Sequence, residues 1–463
     1  MSRHASTTHA ISLNPASGQV FAEYPFESVE QLEQSLERAA AGFKVWREQP
    51  VSGRAQVLVN LARVLREKTE AMAQMITAEM GKPIAQARAE IEKCAVTCEW
   101  YAQHGPAMLE PEKTSVENDK AYIAYRPLGP VLAVMPWNFP VWQVLRGAIP
   151  MILAGNGYVL KHAPNVMGCA FLLRDVWREA GLTEGVFEVI NATNEGVSKA
   201  IADPRIAAVA VTGSVRAGSA IASQAGAALK KCVLELGGSD PFIVLADANL
   251  DEAVKAAMVG RYQNSGQICV AAKRIIVQES VLQAFTDKFV AAVTALKVGD
   301  PQLESTYIGP MARYDLRDEL HGQVLATLSE GASLLLGGEA IAGDGNYYAP
   351  TILADVRPGM TSFKEELFGP VASLIAARDA EHAVELANDS EFGLAGSVWT
   401  ADEALARDIA SRLETGGVFI NGYTASDARV PIGGVKKSGF GRELSHFGIR
   451  EFCNAQTVWI DRR

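Results

Sequence analysis

Apolar positions follow two different rhythms along this chain, and the change comes at Pro130. Before it, apolar residues recur at three- and four-residue intervals over 28–41, 54–80 and 84–103, the period of helices packed on one face. The first of these opens on Ser28 followed by Val-Glu-Gln-Leu, a capped amphipathic start. Their charged outer faces mark all three as packing material. Residues 12–21 hold turn formers between two short strand-like pieces, and 120–125 alternate as a strand until Arg126-Pro-Leu-Gly-Pro130 ends it. With little apolar sequence on either side, that strand is expected to be an edge that pairs with another subunit. After Pro130, short apolar runs alternate with helical stretches, the layout of parallel strands joined by crossovers. These runs are 131–135, 158–160, 186–190, 207–211 and 231–236.

Most of these runs end in a residue that carries chemistry. The first enters Pro136-Trp-Asn-Phe-Pro140, where two prolines fix the backbone and Asn138 offers an amide at the C-terminal end of a strand, the edge where open α/β sheets bind ligands. The second delivers Lys161. The fourth ends in Thr212-Gly-Ser-Val-Arg-Ala-Gly218 and a helix, an anion cradle suited to a pyrophosphate although it is not GxGxxG. The fifth ends in Glu235-Leu-Gly-Gly238, and a carboxylate at the end of a buried strand is either an ion-pair member or a base. Further on, the small and amide-bearing run 260–268 precedes Cys269. Gly266 lets the backbone pass close to a ligand, and Cys269 is expected to open the first turn of a helix, where unpaired N–H groups favour a thiolate. On this stretch alone a buried apolar filler is the competing reading of the thiol.

Composition narrows the function class. At 463 residues the chain exceeds one compact core, and ~150 residues per domain gives two or three lobes. A net charge of −10 with no Lys/Arg block excludes nucleic acid as the main partner and points to a small-molecule enzyme. No apolar run reaches the ~18 residues of a membrane span, and residues 1–10 lack the layout of a signal peptide, so the expected location is cytoplasmic without a membrane partner. The six cysteines are scattered without metal-ligand spacing, which makes reduced thiols the default and leaves no metal site to expect.

Taken together, Pro-Trp-Asn-Phe-Pro at 136–140, Glu-Leu-Gly-Gly at 235–238, Gln-Ile-Cys at 267–269, Glu-Leu-Phe-Gly-Pro at 366–370 and the Gly/Lys-rich 433–443 resemble the aldehyde dehydrogenase superfamily, in order and over essentially the whole chain. The resemblance implies an α/β fold with two Rossmann-type parallel-sheet domains and a small β oligomerisation arm. It assigns 1–106 and 127–235 to a NAD(P)-binding domain, 236–443 to a catalytic domain, and 107–126 with 444–463 to the arm of a homodimer or homotetramer. It also implies that Cys269 attacks an aldehyde to give a thiohemiacetal and then a thioester. Asn138 with the Cys269 N–H would hold the oxyanion, and Glu235 would activate water and take the thiol proton. Lys161, Gly213, Ser214, Glu366 and Phe368 would bind the cofactor, with Trp137 and Leu236 lining the site.

Two positions bear on specificity. Pro164 stands where family members that favour NAD often carry a glutamate against the ribose 2′-hydroxyl, so NAD or NADP is expected to serve. Arg146, eight residues after Asn138, stands where succinate-semialdehyde dehydrogenases place a carboxylate-binding arginine. Gln263 stands where that subfamily often has a second arginine, with Arg261, Ser426 and Arg429 as compensating candidates. The implied substrate is a small carboxylated aldehyde, succinate semialdehyde first. A different small aldehyde, such as glutarate semialdehyde or an aminoaldehyde, and a non-catalytic protein on the same scaffold are the alternatives.

Overall fold

A computed structural model describes residues 8–461, so part of the stretch 1–10 read for targeting signals lies outside the described residues. The chain opens with a hairpin of β1 (His9–Asn14) and β2 (Gln19–Pro25). Four helices follow: α1 (Val29–Trp46), α2 (Val51–Glu67), α3 (Thr69–Met80) and α4 (Ile84–Met108). Ser28 caps α1 through a full capping box with Gln31, as its sequence predicts. The single helical stretch expected over 54–80 is instead two helices broken at Lys68 (φ −100°, ψ 6°). There the Thr69 hydroxyl donates to the Leu65 carbonyl (3.1 Å), a back-bond that bends helices. Next come β3 (Glu112–Lys113) and β4 (Ala121–Pro127).

The first parallel sheet is built from β5 (Pro130–Val134), β6 (Gly157–Lys161), β7 (Phe187–Val189), β8 (Ala208–Thr212) and β9 (Lys231–Glu235). Helices α5 (Trp142–Ala154), α6 (Met167–Glu179), α7 (Asn194–Ala202) and α8 (Val215–Ala227) make the crossovers. Spatial order is β9-β8-β5-β6-β7, all parallel. Every residue of β8 is buried, which is what a strand covered on both faces requires and why it reads as a continuous apolar run.

A four-residue link carries β9 into β10 (Asp240–Val244) of a second sheet, which α9 (Leu250–Tyr262) connects to β11 (Ala272–Gln278). The strands β12 (Ser333–Leu336), β13 (Thr351–Ala354), β14 (Val371–Ala377), β15 (Phe392–Gly393), β16 (Gly396–Trp399), β17 (Val418–Ile420), β18 (Val435–Lys436), β19 (Gly439–Phe440) and β20 (Cys453–Trp459) complete the chain. The second sheet has order β12-β13-β14-β11-β10-β16-β17 and is parallel except for its β12–β13 edge. β15 and β18 form a small antiparallel pair, and β19 adds an antiparallel edge beside β9. Because β9 runs directly into β10, the C-terminal edge of the first sheet meets the N-terminal edge of the second.

β4 is the centre of a three-stranded antiparallel sheet, β20-β4-β3, not an edge. The C-terminal strand of the same chain pairs with its whole length, a partner that local sequence around β4 does not announce. Among the described residues no helix is long and apolar enough to cross a membrane.

Candidate active site

Cys269 lies at the joint between the two sheets, in a turn just ahead of β11. It does not open a helix. The preceding residues Asn264 (φ 54°), Ser265 (φ 53°) and Gly266 (φ 71°) are left-handed in succession, which ends the helical path after α9. A non-glycine residue held there costs roughly 1–3 kcal/mol and persists only where its surroundings enforce it. The enforcement is visible. Ser265 donates to the Gly309 carbonyl (2.9 Å), the Asn264 N–H donates to Gln86 Oε1 (2.8 Å), and Gln267 Oε1 accepts from the Ala312 N–H (3.0 Å). A side chain at Gly266 would run into the Gly369 carbonyl.

The same network ties Asn138 to the thiol. Asn264 Nδ2 donates to the Asn138 carbonyl (2.8 Å), and Asn138 Nδ2 donates to the Gln267 carbonyl (3.0 Å). An amide carries two N–H donors, so this bond leaves one of them uncommitted. Lys273 Nζ donates to the Ile268 and Cys269 carbonyls (3.0 and 2.7 Å), fixing the peptide from the other side.

Electrostatics set the resting protonation. Burial pushes the Cys269 thiol up to about 11, against the pull of the Arg146 and Lys273 cations. Burial also raises Glu235 to about 8, with Arg146 opposing and Glu443 reinforcing the shift. Among the described residues Glu235 Oε1 has no hydrogen-bond partner, and a side chain at Gly433 would press against that oxygen. A thiol that rests protonated needs a base, and Glu235 is a carboxyl whose range lies close enough to neutrality to act as one.

The residues expected at the cofactor site stand along the C-terminal edge of the first sheet. Ser214 caps α8 by accepting from the Ala217 N–H (3.3 Å), and a Cβ on Gly213 would meet nothing within 4 Å, leaving the turn open to a ligand. Lys161 ends β6 half-buried, and Pro164 starts the short 3₁₀ turn after it, exposed. Leu236 packs under Gly218 of α8. Phe368 meets Trp137 edge to face with ring centroids 5.7 Å apart. Glu366 accepts from the Gly238 N–H (3.1 Å) and pairs with Lys273 (3.1 Å); a side chain at Gly237 would collide with its carboxylate.

The substrate candidates divide. Arg261 is no substrate ligand. It is fully buried, and its guanidinium donates to the carbonyls of Val371 (2.5 Å), Gly266 (3.2 Å), Leu367 (2.8 Å) and Gly369, which consumes its donor edges. Arg429 is exposed, and its fork is paired with Asp427 (2.8 and 2.7 Å). Gln263 is half-buried at the end of α9. Arg146 is buried and its Nε pairs with Glu443, while Nη2 reaches Thr212 (3.5 Å), so part of its charge is already matched. Ser426 accepts from Lys93 Nζ (2.7 Å).

Sequence reasoning missed several participants, and α4 is where it missed most. Its inner face is not mere packing. Glu90, paired with the buried Lys82, accepts the N–H groups of Val141 and Trp142 (2.9 and 2.8 Å) and so pins the start of α5 behind Asn138. Lys93 lies one turn further along. Spacing reveals that a helix has an inner face but not what that face meets. Glu443 sits within a motif quoted above, yet its partner is 297 residues away.

A model of the aldehyde dehydrogenase family matches residues 2–458. The chain is 66% identical over 455 residues to the Escherichia coli succinate semialdehyde dehydrogenase [NAD(P)+] Sad, covering 98% of each. It is 46% identical to a probable succinate-semialdehyde dehydrogenase [NADP(+)] of Synechocystis, covering 97% of this chain and 99% of that one. The crystal structure of succinic semialdehyde dehydrogenase from Streptococcus pyogenes with NADP+ superposes with a TM-score of 0.96 at 34% identity, covering 98% of this chain and 100% of that one. With a family model matched over nearly every residue and a relative 66% identical along almost the whole of both chains, the chain belongs to the aldehyde dehydrogenase family.

Proposed function

We propose that the protein oxidises succinate semialdehyde to succinate with NAD or NADP. The observation that carries the chemistry is the convergence at the sheet joint: the Cys269 carbonyl lies against Gly238, three residues after Glu235 at the end of β9, and the Asn138 amide is bonded to the turn that carries Cys269. Glu235 takes the proton from Cys269 Sγ, and the thiolate adds to the aldehyde carbon to form a thiohemiacetal. The developing oxyanion is held by the second N–H of Asn138 and the N–H of Cys269, which donates to no group among the described residues. The residues present fit a dinucleotide: an open Gly213-Ser214 turn at a 13-residue helix, Lys161 beside it, and Glu366 with Phe368 at the far end. When bound, the nicotinamide supplies the hydride acceptor that turns the thiohemiacetal into a thioester. Glu235 passes the first proton to solvent and then accepts one from the water that adds to the thioester carbon; the tetrahedral intermediate collapses to the carboxylic acid as the thiolate of Cys269 leaves.

Further parts of the reading rest on the same fold. Exposed, uncharged Pro164 next to Lys161 supports use of both cofactors, since no carboxylate opposes a 2′-phosphate there. The three larger sheets support the division into 1–106 with 127–235, 236–443, and 107–126 with 444–463, although β19 crosses from the second segment to the first sheet. Exposed Trp459 and Ile460 on and after β20 support a homo-oligomer, and six free cysteines suit a cytoplasmic location. Initial rates with succinate semialdehyde, glutarate semialdehyde, an aminoaldehyde and butyraldehyde, each with NAD and with NADP, test the substrate. Succinate semialdehyde should give the highest kcat/KM; equal values for butyraldehyde would overturn the assignment.

A further inference from the structure

We propose that Lys93, with the hydroxyl of Ser426, is the recognition point for the substrate's distal carboxylate, an inference that rests on the carboxylated-aldehyde reading above. Lys93 projects from the inner face of α4 with its Nζ 2.7 Å from Ser426 Oγ and 4.3 Å from the centroid of the Trp142 ring. Trp142 stands four residues after Asn138, at the start of the helix that Glu90 pins. Arg146 follows one turn later on the same face of α5 and acts electrostatically on Lys93 as well as on Cys269 and Glu235. Trp142 and Arg146 thus join Lys93 to the reacting groups along one helix.

The charges single out Lys93. Arg146 is paired with Glu443, Lys82 with Glu90, Lys273 with Glu366 and Arg429 with Asp427. Arg261 is absorbed by backbone carbonyls. Lys93 is half-buried and takes part in no ion pair among the described residues. The acidic groups that act on it from nearby are Glu90 and Asp427, each already engaged by another cation. A desolvated ammonium whose direct contacts are a hydroxyl and an aromatic face is costly, and an arriving carboxylate relieves that cost. Since Ser426 accepts from Lys93, its own O–H remains free to donate to the same carboxylate.

The test compares aldehydes of similar length that differ in charge, assayed on the full-length protein. Lys93→Met keeps the stem and removes the charge. It should lower kcat/KM for succinate semialdehyde about 10- to 100-fold, the range for losing a charge-assisted hydrogen bond, and leave butyraldehyde within about twofold. Lys93→Arg should restore much of the loss, and Lys93→Glu should shift preference toward a cationic aminoaldehyde. The pH dependence is a second readout. Burial brings the Lys93 ammonium down to about 8, with Arg146 adding to the fall and Cys94, Glu90 and Asp427 opposing it. Preference for the charged substrate should therefore fade as pH rises through that value, and persist in Lys93→Arg. The ratio of the two kcat/KM values cancels the titrations of Glu235 and Cys269, which both substrates share. An equal loss on charged and uncharged aldehydes, or no loss on either, would overturn the proposal. If the unaltered protein itself shows no preference for the carboxylated aldehyde, the function assignment fails first and independently of Lys93.

Discussion

Replacing Arg146 by methionine is the perturbation that best separates structure from recognition in this site. The side chains of Arg146 and Glu443 are only 2% and 4% exposed. Removing the cation leaves the Glu443 carboxylate buried without its partner, which costs about 3–5 kcal/mol, whereas exchanging both residues for apolar ones of similar volume is close to neutral. Arg146→Met should therefore lower the urea midpoint markedly, and Arg146→Met combined with Glu443→Met should recover most of it. A double-mutant cycle should give a coupling energy of about 2 kcal/mol or more. The chemistry should change in the same direction for every aldehyde. Burial disfavours the guanidinium charge, but the carboxylates of Glu443 and Glu235 and the Cys269 sulfur more than offset that. Taking the cation away lets Cys269 and Glu235 rise further, so kcat/KM should fall on butyraldehyde as well as on succinate semialdehyde, with the optimum moving to more alkaline pH. If Arg146→Met is as stable as the parent and loses activity only on the carboxylated aldehyde, the guanidinium serves the substrate and the buried-pair reasoning is wrong.

Further outcomes are expected at three positions. Cys269→Ala should abolish turnover while NAD(P) binding, read by fluorescence titration, is retained; Glu235→Gln should slow both the burst of reduced cofactor and the turnover after it, because the thiol and the hydrolytic water have lost the same base, whereas an undiminished burst would confine Glu235 to thioester hydrolysis. Since the Glu235 carboxyl must be ionised to accept a proton, parent kcat should climb as pH rises through about 8 and Glu235→Gln should lack that limb; a pH-independent parent would remove Glu235 as the base. Pro164→Glu should weaken NADP selectively by placing a carboxylate against a 2′-phosphate, and an equal loss with NAD would show that the exposed turn does not face the ribose.

What the sequence could disclose depended on how local each constraint is. Asn138, the Gly213-Ser214 turn, Glu235 and Cys269 are each bounded by prolines or glycines at strand ends or turns, so their neighbourhoods are written in consecutive residues. Parallel strands such as β8 were legible because burial on both faces demands an unbroken apolar run. The residues that hold these groups in place were not legible. Asn264 and Ser265 adopt left-handed backbone without being glycine, and the enforcing partners Gln86 and Gly309 come from distant segments. Arg261, Arg429 and Arg146 look alike in a sequence, yet one solvates backbone carbonyls, one closes on a neighbouring carboxylate at the surface and one is locked to Glu443. For arginines, the identity of the partner decides the role, and the partner is a tertiary fact.

The same point explains why substrate choice and chemistry can reside in different cations of one site. Arg146 is deep, matched by Glu443, and acts on Cys269 and Glu235, so changing it disturbs the reacting groups. Lys273 is matched by Glu366 and holds the carbonyls of the nucleophile turn, so it is committed to geometry. Lys93 is attached to a helix that contributes no reacting atom, and its contacts are a hydroxyl and a ring. A charge placed there can vary without moving Asn138, whose backbone is held from Asn264 and whose following helix is held from Glu90. Specificity on this scaffold is therefore adjustable at Lys93 at small cost to the thiol chemistry, because its side chain bonds none of the groups that hold Asn138 or the Cys269 turn, although Glu90 on the same helix does.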